Sequence, residues 1–311
     1  MIYTVTLNPA LDRSVEIPDF APGAVNRIAA QHMDPGGKGI NVSKLLARLG
    51  CESYPIIILA GHTGQLLEAA LKKAGLSGCF LYTDGETRTN LKITDPAQQV
   101  TTEINAPGIP VPPVLLERLL EALTKDLQAG DLVVLSGSLP PNAPADTYRR
   151  WTEACQGKGA RVLLDADGAA LAEGIAAAPE LIKPNQEELS RLLGRSLDTP
   201  EVLAEAAYGL LIQYGIRQVV VSMGHHGALY VSQERTVYTE GLAVPVRCTT
   251  GAGDSVVAAL AYAAQNGFPW EEAVRFASAA GAASVMCSGT HPADMEQIST
   301  LMPRVKLHVM R

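Results

Sequence analysis

Leu115-Leu116-Glu117-Arg118-Leu119-Leu120-Glu121-Ala122-Leu123-Thr124-Lys125-Asp126-Leu127, then Gly130, then Leu132-Val133-Val134-Leu135, carries two hydrophobic periods in succession. Leu115, Leu119, Leu120, Leu123 and Leu127 recur at helical spacing and stop short of Gly130, which predicts an amphipathic helix closed by a glycine. Leu132–Leu135 is a short apolar run without polar alternation, the pattern of a strand covered on both faces. Such strands belong to parallel sheets, whose neighbours must be joined by crossovers, usually helical. The alternation extends outward in both directions. Val42, Leu45, Leu46 and Leu49 form a second helical stripe that stops at Gly50. Ile56–Leu59, Val162–Leu164 and Val219–Val221 repeat the buried-strand pattern. The reading is a three-layer α/β/α fold, a mostly parallel central sheet with helices on both faces.

No internal repeat, low-complexity tract or Ser/Gly linker divides the 311 residues, so one unit over 1–311 is expected. Residues 11–30 and 87–104 break the rhythm, with strand-like alternation and no helix between. Arg88, Asn90 and Lys92 fall on one face of such a strand, Leu91 and Ile93 on the other. Asp95-Pro96-Ala97 reads as the hairpin turn into Val100–Ile104. These segments predict a small second sheet; its polar face suits a ligand, and an ordinary surface hairpin fits the pattern equally.

Composition excludes several classes. The chain is 47% hydrophobic, 18% charged and 5% aromatic, with a formal net charge of −7. An acidic chain is a poor non-specific nucleic-acid binder, so no nucleic-acid partner is expected, and an anionic substrate would need a locally basic pocket. The five cysteines are widely spread with no CxxC, which argues against a disulfide scaffold or zinc knuckle and fits a reducing compartment. The first residues lack a basic region followed by a long apolar run, and no stretch is long enough to span a bilayer. A cytoplasmic protein without a membrane partner is expected.

Two glycine clusters precede helical runs. In Pro35-Gly36-Gly37-Lys38-Gly39-Ile40-Asn41, glycines let backbone approach a ligand, Lys38 adds charge and Asn41 can serve sugar hydroxyls. The spacing is not that of a Walker A loop, and a tight turn without a ligand explains the cluster nearly as well. Thr249-Thr250-Gly251-Ala252-Gly253-Asp254 opens a run of small residues, so Gly251, Ala252 and Gly253 can aim N–H groups at an anion. Asp254 beside them can take a proton from an attacking hydroxyl, or serve as a plain helix N-cap. Lys183-Pro184-Asn185-Gln186-Glu187-Glu188 follows a strand; Asn185 and Glu188 share a helix face and can orient hydrated Mg²⁺, although a helix cap explains them better locally. Ser222-Met223-Gly224-His225-His226-Gly227 offers a glycine-rich loop to a nucleotide, and the adjacent histidines are expected to point apart and hold no metal. Ser136-Gly137-Ser138 is a further strand-end loop.

In this order, together with Thr6-Leu7-Asn8-Pro9-Ala10-Leu11-Asp12, Val25-Asn26-Arg27 and Thr87-Arg88-Thr89-Asn90, these motifs resemble the ribokinase-like (PfkB) sugar kinases. Within that family the similarity is to the branch of 1-phosphofructokinases and tagatose-6-phosphate kinases. The resemblance implies a ribokinase-like fold with a small β-sheet lid, approximately 11–35 and 87–107, that closes over the sugar and mediates a homodimer. It implies ATP and Mg²⁺, and a sugar phosphate as acceptor. Asp254 then corresponds to the catalytic base and Gly251, Ala252 and Gly253 to an anion hole. Asp12, Gly37, Asn41 and Asn90 correspond to hydroxyl-binding positions, and Arg27, Lys38 and Arg88 to the basic residues around the acceptor's own phosphate, with Ser138 in the same pocket. Lys183, Asn185 and Glu188 correspond to the motif that organises Mg²⁺, Glu188 through water, and Ser222, Gly224 and Gly227 to the nucleotide loop. Cys248-Thr249-Thr250 departs from the family's usual residues before the anion hole. A minor 6-phosphofructokinase, or a non-catalytic sugar-phosphate sensor, would share most of these motifs.

Overall fold

The computed structural model describes residues 1–311. Its strands are β1 Ile2–Thr6, β2 Ala10–Glu16, β3 Ala30–Gly36, β4 Ser53–Ala60, β5 Cys79–Thr83, β6 Arg88–Asp95 and β7 Val100–Ile104. They continue with β8 Leu132–Ser136, β9 Arg161–Asp165, β10 Leu181–Ile182, β11 Gln218–Ser222, β12 Gly227–Ser232, β13 Thr236–Glu240 and β14 Leu307–Val309. The helices are α1 Lys38–Arg48, α2 Gly61–Lys73, α3 Pro113–Lys125, α4 Thr147–Gln156, α5 Gly168–Gly174, α6 Gln186–Leu193, α7 Pro200–Tyr214, α8 Ala252–Gln265, α9 Trp270–Ser284 and α10 Met295–Leu301.

Ten strands form one sheet in the order β14-β13-β12-β11-β10-β9-β8-β1-β4-β5. The pairs from β5 to β11 are parallel, and β12, β13 and β14 extend that edge antiparallel. The expected strands and both helical stripes are present, with one shift: α3 stops at Lys125, and Leu127 is buried beyond its end.

The period of two sorts each strand between the layers. Val133 and Leu135 of β8 pack with Leu119, Leu123 and Trp151 on the face of α3, α4 and α7. Leu132 and Val134 pack with Val257, Ala258 and Ala280 on the face of α1, α8 and α9. Small residues let α8 and α9 come close to each other and to the sheet. At roughly 25 cal/mol per Å² of apolar surface, this two-sided burial is the main stabilising contribution to the fold.

A separate sheet has the order β3-β2-β6-β7. The β6–β7 hairpin turns at Asp95, whose carboxylate accepts from the N–H groups of Asp19, Phe20, Ala97 and Gln98. Val15, Ile17 and Ile93 form its own small core. Its two outer strands are edges, and Met33 on β3 and Val100 and Ile104 on β7 are exposed. No helix is long and apolar enough to cross a membrane.

Candidate active site

Because β1, β8, β9, β10 and β11 run parallel, their C-terminal ends lie on one edge, where open α/β sheets collect ligands. Two clefts meet there. One, of ≈ 400 Å³, lies between that edge and the small sheet; the other, of ≈ 610 Å³, lies between the loop after β11, the β12–β13 hairpin and α8. The first turn of α8 is their common wall: Gly251 and Asp254 face the first cleft, Ala252 and Gly253 the second.

Gly251 is the N-cap of α8 at φ 82, a left-handed conformation that a glycine adopts without strain. Asp254 is therefore inside the first turn, and its side chain makes no capping bond, which removes the N-cap alternative. Its Oδ2 accepts from Asn41 Nδ2 at 2.7 Å, and the residue is only 7% exposed. Burial, and then the negative charge of Asp165, push its carboxyl up to about 6, against the pull of Lys38, Asn41 and Lys183.

Asp165 is a residue that the motifs did not reveal. It ends β9, accepts from Lys38 Nζ at 2.9 Å and lies 3.4 Å from Lys183 Nζ. Burial alone would raise its pKa; Lys183 and Lys38 hold it below the ordinary carboxylate value. Its Oδ2 is buried without a partner. The signal was available in Leu163-Leu164-Asp165, an acid at the end of a buried strand.

Asp165 also pairs with Lys38. Burial opposes charge on Lys38, yet Asp165 and then Asp254 raise its pKa. Its ammonium lines the first cleft while already paired with the buried Asp165 carboxylate.

Asp12 and Asn90 face each other in the β2–β6 register, with Asn90 Nδ2 donating to Asp12 Oδ1 at 2.9 Å. Burial raises the pKa of Asp12, and the Asn90 bond works against it. Gly36 is needed here, since a Cβ on it would lie 2.0 Å from Asp12 Oδ2. Gly37, the N-cap of α1, lines the same cleft.

The Arg88 guanidinium donates to the carbonyls of Asn8, Pro9 and Ala106 and pairs with no carboxylate. Asn8, a second residue missed in the sequence, also donates to Ser138 Oγ at 3.2 Å and to the Pro107 carbonyl at 3.0 Å. It thereby ties Ser138 to the segment that leaves β7. Arg27 requires a correction. It is exposed on the β2–β3 connection and does not line the cleft of its own chain.

On the other side, Asn185 is the N-cap of α6 and forms a capping box with Glu188. The cap reading is thus correct, and both residues still reach the clefts: Asn185 lines the second and Glu188 the first. Lys183 is buried with its Nζ 3.0 Å from where a Cβ on Gly253 would lie. Ser222, Gly224 and Gly227 all line the second cleft. His225 and His226 do not point apart; their ring centroids are 3.8 Å apart, because the short 3₁₀ turn at Gly224–His226 brings them together. No group of three or more His, Cys, Asp or Glu side chains could hold a metal.

A buried carboxylate beside a glycine-opened helix N-terminus, between a polar cleft and a more apolar one, is the site of a phosphotransferase acting on a hydroxyl. The chain belongs to the pfkB family of carbohydrate kinases, whose pattern matches residues 6–297. It is 38% identical to the 1-phosphofructokinase of Rhodobacter capsulatus over 310 residues, 99% of this chain and 98% of that protein. It is 37% identical to the 1-phosphofructokinase of Bacillus subtilis, over 99% of each chain. Among solved structures, phosphofructokinase-2 from Escherichia coli in complex with potassium superimposes with a TM-score of 0.92 at 32% identity, covering 97% of this chain and 98% of that one.

Proposed function

We propose that this chain transfers the γ-phosphoryl group of ATP to the C6 hydroxyl of fructose 1-phosphate, giving fructose 1,6-bisphosphate and ADP. The observation that carries the reading is the first turn of α8, which separates the two clefts and presents Asp254 to one and Ala252 and Gly253 to the other. The acceptor occupies the first cleft, its hydroxyls on Asp12, Asn41, Asn90 and the Gly37 backbone. Arg88, which no carboxylate neutralises, and Ser138 hold the phosphate it already carries. ATP occupies the second cleft, along Ser222, Gly224 and Gly227, with its phosphates toward Asn185 and Lys183.

As the acceptor oxygen bonds to the γ-phosphorus, its proton passes to Asp254 and the bond to the bridging oxygen of ADP breaks. The N–H groups of residues 251–253 receive the charge that grows on the phosphoryl oxygens. The oxygen donors fit Mg²⁺: Asp165 Oδ2 is buried and unpartnered, and Glu188 faces the cleft. A Mg²⁺ that arrives with ATP and keeps several waters needs no protein cage; Glu188 would hold it through water, and it would offset phosphate charge. The small sheet acts as a lid that excludes water as a competing acceptor. Its exposed Val25, Ile28, Met33, Val100 and Ile104 support a homodimer formed lid to lid.

ADP release with Mg-ATP and a panel of fructose 1-phosphate, fructose 6-phosphate, tagatose 6-phosphate, free fructose and free ribose tests the assignment. Fructose 1-phosphate should give the highest kcat/KM by at least tenfold. Preference for another ketose phosphate would move the assignment within the family, and preference for a free sugar would remove the phosphate-holding role of Arg88. Binding without turnover on any acceptor would make the chain a sensor.

A further inference from the structure

Three cationic side chains line the acceptor cleft: Lys38, Arg88 and Lys92. Lys38 is matched to Asp165, and Arg88 sits among carbonyls at the end of the cleft near Asn8. Lys92 is the one whose ammonium reaches the residue just before the anion hole. Along β6 the two-residue strand period brings Arg88, Asn90 and Lys92 to the same face, about 6.6 Å apart.

At the far end of that row, Lys92 Nζ donates to Thr250 Oγ1 and lies 3.4 Å from Cys248 Sγ. Thr250 is the residue before Gly251. The counter-ion of Lys92 is Glu103, its register partner on β7, at 3.3 Å. The Thr250 hydroxyl donates to the same carboxylate at 3.4 Å. Glu103 is half exposed while the Lys92 side chain is 17% exposed, an unequal pair. A carboxylate so open to water holds its partner weakly, and a phosphoryl oxygen in a water-excluded site competes well against it.

We propose that Lys92 is a further catalytic residue, a lid-borne ammonium that exchanges Glu103 for the phosphoryl group in transit. The inference rests on the kinase reading above and adds a charge that arrives only when the lid lies over the anion hole. Lys92 keeps its proton throughout: the acceptor O–P bond forms, the bond to ADP breaks, and the hydroxyl proton goes to Asp254. The contribution of Lys92 is electrostatic and largest in the transition state. It makes lid closure a condition for transfer as well as for the exclusion of water.

The test compares wild type, Lys92→Met and Lys92→Arg on the best acceptor of the panel, with the binding of ADP plus aluminium fluoride, a mimic of the phosphoryl in flight, as a second readout. Removal of one such donor is worth about 10²-fold in kcat. Lys92→Met should lose about that much kcat, with the KM values for acceptor and Mg-ATP moving less than about threefold on the same reasoning. Lys92→Arg should recover most of the loss. In Lys92→Met, ADP should bind as in wild type and the aluminium fluoride complex should weaken in parallel with kcat.

An unchanged kcat, a change confined to the acceptor KM, or a loss that arginine does not restore would each overturn the proposal. If Lys92→Met does not fold, Lys92→Gln carries the same comparison. Inactive wild-type protein is the separate outcome that overturns the kinase reading itself.

Discussion

As the proposed base, Asp254 owes its raised pKa to burial and is destabilising for the same reason. Its folded pKa of about 6 lies above the ordinary value of 3.8, so the folded chain binds a proton more readily than the unfolded one. Stability tied to this group is fully present below about pH 4 and is lost as pH rises through about 6. Above that range the ionised carboxylate works against the fold by an amount on the order of 3 kcal/mol. Asp254→Asn keeps an oxygen for Asn41 and removes the charge. It should lower kcat by a factor of about 10²–10⁴ and at the same time raise the melting temperature at pH 8 by a few degrees, with the gain shrinking toward pH 5. Paired melting curves and initial rates check both halves; a variant that is inactive and also less stable at pH 8 would show a packing role instead of a base. In wild type, kcat/KM for the acceptor should fall about tenfold per pH unit below 6, since only the carboxylate accepts the proton.

At the scale of elements, α6 opens on a motif that caps the helix and that is proposed to serve ATP as well. Asn185 Oδ1 accepts from the Glu188 N–H at 2.8 Å, and Glu188 Oε2 accepts from the Asn185 N–H at 2.8 Å. Loss of the cap in Asn185→Ala should lower stability by about 1 kcal/mol. Asn185→Asp preserves the cap, since a carboxylate oxygen accepts the same bond, but puts a negative charge where ATP phosphates are expected. Denaturation should leave that variant close to wild type while its KM for Mg-ATP rises; an unchanged KM would confine Asn185 to capping. The same elements show what a sequence discloses. Val219–Val221 and the stripe Val42, Leu45, Leu46 and Leu49 were legible because period and burial are local properties. The glycines at 36, 37, 251 and 253 were legible because few residues fit such approaches. Asp165, Asn8 and the Lys92–Glu103 pair were not assigned, because each gains its role from a partner far away in the chain. Asp165 meets Lys38 across 127 residues and Thr250 meets Glu103 across 147, a closeness that topology alone creates. The close approach of the His225 and His226 rings was misread for the opposite reason, a local turn overriding the expectation for neighbours.

At the scale of the whole molecule, an acidic chain meets anionic substrates through a few placed cations rather than a basic surface. Lys38, Lys183, Arg88 and Lys92 are gathered at one sheet edge, where Asp12, Asp34, Glu103, Asp167, Glu188 and Asp254 also line the cleft. Closing that edge needs the small sheet, which has little core of its own: Val15, Ile17 and Ile93 with Phe20 and Leu91. A sheet this thinly supported, with open edges and exposed apolar side chains, gains most from a second copy of itself. The chain should therefore sediment as a species of twice its 32.8 kDa mass. Ile104→Glu places a charge on the exposed edge strand β7 and should shift the protein to monomer without unfolding the ten-stranded sheet, whose two cores lie on the far side of the cleft. Because the lid carries Asn90 and Arg88, the monomer should bind the acceptor more weakly while ADP binding, confined to the second cleft, stays near wild type. Sedimentation velocity with titration calorimetry for both ligands measures this directly. A monomeric wild type, or an Ile104→Glu dimer, would place the contact between copies elsewhere; a monomer with unaltered acceptor affinity would show that each lid is ordered without its partner.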